Sequence, residues 1–301
     1  MGKQLVSYFV VDAFTEEAYK GNPAAVCFLE EDRSDKWLQS VAAEFNISIS
    51  CFVKRLAADS ATSTPRFHLR WFSPVVEVKL CGHATLAASH ILFTKGFVDS
   101  TVIEFVTLSG SLKVKKVPIH EKGEASGYSS AQNGEEQNTF YVELDFPADS
   151  IIEPNSTDLE SAKGSLGTSS ILAIKRAETF DDILVEVPSI KDVLELRPNF
   201  DEMMKCSGRG VIVTSVGAAE SGFDFCSRAF FPKFGVREDP VCGTAHCSLA
   251  TYWSEKLGKC DFMAYAASSR SGILSIHLDK KNKRILMRGK AVTVMDGSLL
   301  V

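Results

Sequence analysis

Glu77-Val78-Lys79-Leu80-Cys81-Gly82-His83-Ala84 and Glu238-Asp239-Pro240-Val241-Cys242-Gly243-Thr244-Ala245 share one pattern, E-x-x-x-C-G-x-A, with Cys242 lying 161 positions after Cys81. The match continues outward in order. Upstream, Arg70-Trp71-Phe72-Ser73-Pro74 and Arg228-Ala229-Phe230-Phe231-Pro232 both read R-x-F-x-P. Downstream, Gly96 answers to Gly258, and Ser109-Gly110-Ser111-Leu112 to Ser271-Gly272-Ile273-Leu274, both at an offset of 162. An ordered series, at offsets of 161–162 from the cysteines onward and 158 for the upstream match, marks an internal repeat, and it predicts two structurally similar halves.

The local patterns of the halves agree. Phe67, Leu69 and Trp71 alternate with polar residues across Arg66 to Phe72, which predicts a strand ended by Pro74. His83 to Lys95 predicts a helix that is apolar almost all round (Ala84, Leu86, Ala87, Ala88, Ile91, Leu92, Phe93), with Gly96 as its stop. Val102 to Val117 alternates around Gly110 and predicts further strand. The second half predicts a strand to Phe231, a break at Pro240, a helix from Gly243 to about Leu257 stopped by Gly258, and strands through Ile276 and Leu286. A helix apolar on every side must be buried, and a sheet curled around it is the natural container. Glu121 to Asn138 is polar and reads as a surface loop near the boundary between halves; Asn155 to Ser170 reads as a further loop or a frayed helix.

Composition narrows the function. The chain has 301 residues, 45% hydrophobic and 24% charged, the profile of an ordinary soluble protein. Its formal charge of -5 argues against a nucleic-acid partner, which would require a basic face. Eight cysteines, at 27, 51, 81, 206, 226, 242, 247 and 260, are too sparse for a disulfide scaffold. No apolar run approaches the roughly 18 residues that would span a membrane. Met1 to Val11 carries no secretion signal, and Val6 stands where a myristoylation signal needs Ser or Thr. The expected compartment is therefore the cytoplasm, with thiols reduced. No G-x-G-x-x-G, G-x-x-x-x-G-K-[ST] or G-x-S-x-G occurs, so neither a nucleotide cofactor nor a serine nucleophile is expected.

The repeated C-G-x-A element can carry chemistry. A helix N-terminus presents unpaired N–H groups and partial positive charge, a site suited to a substrate carboxylate. A cysteine there feels the dipole, and its thiol pKa can fall. A thiolate and a thiol on opposite faces of one carbon could remove one proton and return another, as cofactor-independent racemisation or epimerisation requires. The competing reading makes Cys81 and Cys242 small buried apolar residues, the usual state of free cysteine. His83 is a candidate acid or base, or else a packed or capping imidazole. Asp239 could hold a substrate amine or orient a base, or else be a turn residue before proline. Cys81, His83, Cys242, His246 and Cys247 fit no C-x-x-C spacing, so no metal is expected. His90 reads as helix surface or core.

These segments resemble the phenazine biosynthesis PhzF-like family. The resemblance is carried by Val11-Asp12-Ala13-Phe14, Gly21-Asn22-Pro23-Ala24-Ala25-Val26, the two C-G segments, Ser269-Arg270-Ser271-Gly272 and Arg288-Gly289-Lys290-Ala291-Val292, and so covers the chain from end to end. It implies an α/β fold like that of diaminopimelate epimerase and proline racemase: two pseudo-symmetric halves, each a curled β-sheet around a central α-helix. Residues 1–120 with about 287–301 would form the N-terminal half and 121–286 the C-terminal half, with the site in the cleft between them. It also implies a homodimer, a small carboxylate substrate and no cofactor. The family's proton-moving glutamate lies in a segment like N-L-S-E-T-x-F; here Asn46-Ile47-Ser48-Ile49-Ser50-Cys51-Phe52 puts Ile49 at that position, and Ile cannot exchange a proton. The substrate-binding positions that match are Ser48, Gly82, Gly243 and, for a serine, Thr244; His83 and Asp239 match as well. Cys81 and Cys242 match the two acid/base cysteines of diaminopimelate epimerase. The expectation is a cofactor-independent isomerase or epimerase using Cys81, Cys242, His83 and Asp239. The alternative is a catalytically inactive binding protein on the same scaffold.

Overall fold

The computed structural model describes residues 5–57, 63–119, 140–167 and 170–300. Among these residues the first half runs β1 (Leu5–Ala13), β2 (Asn22–Leu29), α1 (Asp35–Phe45), β3 (Ile49–Arg55), β4 (Arg66–Phe72), β5 (Glu77–Val78), α2 (Gly82–Thr94), β6 (Val102–Thr107), β7 (Gly110–Pro118) and β8 (Phe140–Pro147). The chain continues with β9 (Ile151–Ile152), α3 (Ser156–Leu166), β10 (Ala173–Ala177), β11 (Asp182–Glu186), α4 (Ile190–Leu194), α5 (Phe200–Met203), β12 (Gly210–Val216), β13 (Phe225–Phe231) and β14 (Val236–Asp239). It closes with α6 (Gly243–Leu257), β15 (Asp261–Ala266), β16 (Gly272–Asp279), β17 (Arg284–Gly289) and β18 (Ala291–Leu300). The segment 121–138 and the boundary placed at 120/121 lie outside the described residues. Asn155 to Ser170, read as loop or frayed helix, contains α3, whose start is fixed by the Asn155 side chain accepting from the Asp158 N–H.

The repeat in the sequence is a repeat in strand pairing. In the first half β1 pairs antiparallel with β2, β2 parallel with β3, β3 antiparallel with β4, and β4 parallel with β6 across α2. In the second half β10 pairs antiparallel with β11, β11 parallel with β12, β12 antiparallel with β13, and β13 parallel with β15 across α6. The halves meet where β8 pairs antiparallel with β17. Beyond that junction the chain ends are exchanged: β9 joins β10, and β18 runs along β1.

Each half wraps its sheet around one helix. Eleven of the thirteen α2 residues and eleven of the fifteen α6 residues are buried. Helix α2 is apolar enough to require this, with Leu86, Ile91 and Leu92 fully enclosed. Helix α6 carries polar groups into the core and satisfies them there. Trp253 Nε1 donates to Thr214 Oγ1 at 3.0 Å, and Tyr252 donates its hydroxyl to Glu186 at 2.6 Å.

The paired R-x-F and E-x-x-x-C segments also have a structural meaning, although Arg and Glu stand seven positions apart in one half and ten in the other. Arg70 grips Glu77 through Nε and Nη2, both at 2.7 Å, and Arg228 grips Glu238 at 2.7 and 2.9 Å. Each guanidinium also lies 5.1 Å from the ring two positions on, Phe72 or Phe230. A forked ion pair thus anchors each loop that leads into a C-G helix start.

Candidate active site

The two helix starts touch. A Cβ built on Gly243 would stand 3.3 Å from Gly82 Cα, and one built on Gly82 would stand 3.4 Å from Gly243 Cα. A Cβ at either position would press on the facing backbone more tightly than side chains usually do, which fits the Gly in both repeat segments. Cys81 and Cys242 are the N-caps, both extended, and neither side chain makes a capping hydrogen bond. Serine or aspartate would spend its oxygen on the helix amides at this position; cysteine leaves its sulfur for other partners.

The two thiols have different neighbours. Cys81 Sγ lies 3.4 Å from His83 Nδ1. Cys242 Sγ lies 3.3 Å from Thr244 Oγ1, and the Asp239 charge acts on its thiol. One residue four positions beyond each cysteine clamps the cysteine carbonyl: Thr85 Oγ1 donates to Cys81 O at 2.6 Å, and His246 Nδ1 donates to Cys242 O at 2.7 Å. Thr85 and His246 are themselves 161 positions apart, so the repeat extends to this contact. His246 and Cys247 are turned to their own helix: the Cys247 thiol donates to Gly243 O at 3.7 Å. His90 stacks against Phe140, with 6.0 Å between ring centroids.

Asn22, at the start of β2, joins the halves. Its Nδ2 donates to Asp239 Oδ1 at 2.6 Å and lies 3.1 Å from both Val241 O and His83 Nδ1. Ser48 Oγ lies 2.7 Å from Pro23 O, 2.9 Å from Asn22 Oδ1 and 3.2 Å from His83 Nε2. A neutral His83 with its proton on Nε2 fits its neighbours: Nε2–H donates to Ser48 Oγ, the Ser48 hydroxyl donates to one of its two carbonyl oxygens, and Nδ1 is left as an acceptor. Gly21 sets Asn22 in place from the left-handed region, at φ +62.

Burial decides the protonation states. It pushes His83 down to about 3 and His246 down to about 4. It raises Asp239 to about 6, against opposing hydrogen bonds from Cys242, Val241 and Asn22. Both thiols are pushed up, Cys81 and Cys242 alike, by burial first; the Asp239 charge adds to it in each case. The helix dipole would lower them, and the Ala84 and His83 amides do favour the Cys81 thiolate, but in a site where each cysteine is 7% exposed the desolvation cost wins. The buried site therefore holds two neutral thiols, contrary to the lowered pKa expected from position alone.

The structure brings Ser48, Cys81, Gly82, His83, Asp239, Cys242, Gly243 and Thr244 into this one region. Ile49 begins β3 and belongs to the same apolar cluster as Cys81 and Cys242. Three residues escaped the sequence reading. Asn22 was visible only as part of a matched segment, Gly21-Asn22-Pro23. Arg209 and Asp182 carry no motif. Arg209 donates from Nε to Asp182 Oδ1 at 2.9 Å and from Nη2 to Asp182 Oδ2 at 2.5 Å, and reaches Thr244 Oγ1 from Nη2 at 3.1 Å.

Comparison with known proteins agrees with this architecture. Residues 11–297 match the PhzC-PhzF family, phenazine biosynthesis-like protein. The chain is 41% identical to an uncharacterized isomerase of Halalkalibacterium halodurans, over 97% of this chain and 98% of that one. A PhzF-family crystal structure from Enterococcus faecalis superposes with a TM-score of 0.79 at 32% identity, covering 99% of this chain and 100% of the other. A hydroxyproline epimerase structure from Agrobacterium vitis shares the fold, with a TM-score of 0.58 at 11% identity over 99% and 93% of the two chains. A family match along nearly the whole sequence, together with two buried helices meeting at Gly82 and Gly243, identifies the chain as a member of the PhzF phenazine biosynthesis-like family.

Proposed function

We propose that this protein is a cofactor-independent isomerase or epimerase that moves a proton on carbon in a small carboxylate-bearing metabolite. The observation that carries the reading is that two thiols stand at helix starts that meet at Gly82 and Gly243, with His83 Nδ1 3.4 Å from Cys81 Sγ and the Asp239 charge acting on Cys242. In the forward sense His83 Nδ1 takes the Cys81 proton. The thiolate takes the proton from the carbon beside the carboxylate, and the electron pair moves into an enolate. The Cys242 thiol returns a proton to the opposite face and is left as the thiolate. The first-turn amides of α2 and α6 face the developing negative charge. Because burial opposes both charges of a Cys81–His83 ion pair, thiolate formation needs substrate charge or an opened site to offset it.

A second reading, binding without turnover, is favoured by the same protonation pattern and by Ile49, which stands where the family has its glutamate. Incubation with a panel of amino and hydroxy acids in deuterium oxide separates the two. The catalytic reading expects deuterium at the carbon next to the carboxylate of at least one acid. Cys81→Ser and Cys242→Ser should each slow that exchange by about 10²-fold or more, the usual worth of a positioned acid or base. No exchange into any acid across the panel would leave the binding reading. Ile49→Glu adds a diagnostic, since activity of that variant on a cyclohexadiene acid would show that the rest of the site is competent.

A further inference from the structure

Among the described residues Arg209 is the cation that hydrogen-bonds Thr244 in this site, and nothing in the reaction above employs it. It enters from the loop before β12, next to the first turn of α6. Asp182, fully buried at the start of β11, holds it by two hydrogen bonds along one edge of the guanidinium. Phe231 and Phe180 lie 4.9 and 5.5 Å from its central carbon. A side chain gripped by a buried carboxylate and two rings is fixed in space before any ligand arrives.

The geometry leaves one edge to spare. A guanidinium is planar, and the outer N–H of Nη2 runs parallel to the inner N–H of Nη1. Nη2 uses that direction to reach Thr244 Oγ1 at 3.1 Å. The adjacent Nη1 therefore faces the same way, and among the described residues it has no protein acceptor. Thr244 in turn lies 3.3 Å from Cys242 Sγ. The spare donor edge of Arg209 thus adjoins the first turn of α6 on the Cys242 side, and its charge acts on both Cys242 and Asp239.

We propose that Arg209 is the residue that recognises the substrate carboxylate, accepting it on Nη1 beside Thr244 and so placing the neighbouring carbon against Cys242. The inference deepens the isomerase reading and rests on it for the place of the reacting carbon. It selects anionic substrates over their amides and esters. It also orients them, because a carboxylate pinned on the Cys242 side offers one face of the adjacent carbon to each sulfur.

Charge-selective labelling tests this without a known substrate. Iodoacetate and iodoacetamide alkylate the same thiol by displacing iodide, and differ in whether they carry a carboxylate. The native protein is treated with each, and the rates at Cys242 and Cys260 are read by peptide mass spectrometry. Cys260 lies beyond the far end of the fifteen-residue α6, about 22 Å from its start, and serves as the internal control. The expected result is an iodoacetate-to-iodoacetamide ratio at Cys242 at least tenfold above that at Cys260. Arg209→Gln should bring the Cys242 ratio down to the Cys260 value, and Arg209→Lys should give an intermediate one. Because Arg209→Gln strands the buried Asp182, the double variant Asp182→Asn/Arg209→Gln is run alongside; it removes both charges and should lose the same selectivity while keeping its circular dichroism. The proposal is overturned if the ratio survives in the double variant, or if Cys242 of the native protein resists iodoacetate while Cys260 reacts. Labelling and deuterium exchange fail separately. Selective labelling without exchange would remove the two-thiol chemistry and keep the anchor, whereas exchange without selectivity would do the reverse.

Discussion

The neutral, buried His83 makes a quantitative prediction about stability. At 4% exposure its imidazole is held down at about 3 by burial, while in the unfolded chain it titrates near 6.5. The native protein therefore binds no proton there at pH 5, and the unfolded chain binds nearly one. Stability from this residue is complete above pH 6.5 and is lost as the pH falls, until the native imidazole itself protonates near 3. Between pH 7.5 and pH 5 the unfolded chain moves about 1.5 pH units below its own pKa. At 1.36 kcal/mol per unit, that costs the native state about 2 kcal/mol. His246, held at about 4, adds a loss of the same sign, whereas Asp239, raised to about 6, acts in the opposite sense. A raised carboxyl stabilises the native state below its unfolded pKa and loses that contribution as the pH rises through 6. His83→Gln removes only the first of these. Urea unfolding followed by circular dichroism at pH 7.5 and pH 5, extrapolated linearly to zero denaturant, measures the difference. The wild type should lose about 2 kcal/mol more than the variant over this interval. Equal losses would refute the neutral assignment, because native His83 would then be taking up a proton at pH 5, as an imidazolium held by Asp239.

Other expectations follow from single contacts. Gly21→Ala should cost about 2–3 kcal/mol in urea unfolding, since a Cβ there would stand 2.2 Å from Ala13 O at a left-handed φ. Gly243→Ala, at the first residue of α6, meets Gly82 Cα at 3.3 Å and Met287 Sδ at 3.6 Å, contacts that small shifts relieve; melting should move little while deuterium exchange drops, and an unchanged exchange rate would mean that the helix contact does not set the sulfur positions. Thr85→Val removes the hydroxyl clamp on Cys81 O while keeping the shape of the side chain, and should lower stability by about 1 kcal/mol in the same assay. Glu238→Gln weakens the two-point grip on Arg228 and should cost about 1–2 kcal/mol, with a larger value expected if the loop into Cys242 loosens as well.

Much of this site is legible in the amino-acid sequence. The E-x-x-x-C-G-x-A repeat marked Cys81 and Cys242 as equivalent, and both proved to be the N-caps of buried helices that meet at their glycines. His83 and Asp239 were picked out because they flank those cysteines closely in sequence. Asn22 could be seen but not interpreted, because its meaning is a hydrogen bond to Asp239, 217 residues away. Arg209 and Asp182 could not be seen at all: a lone Arg between two glycines and an Asp opening a strand are common, and only packing puts them beside Thr244.

By itself the sequence determined periodicity and equivalence. Which stretches are strand, which helices are apolar on every side, and which residues of one half answer to those of the other are local properties of side-chain order, written along the chain. The tertiary structure alone decided how far each group is removed from water and what charge lies near it. That is why the thiols, expected to be acidified by their helix ends, are instead raised by burial. A helix dipole belongs to a segment and can be read from it, whereas desolvation and the approach of Asp239, Asn22 and Arg209 depend on the two halves closing on one another.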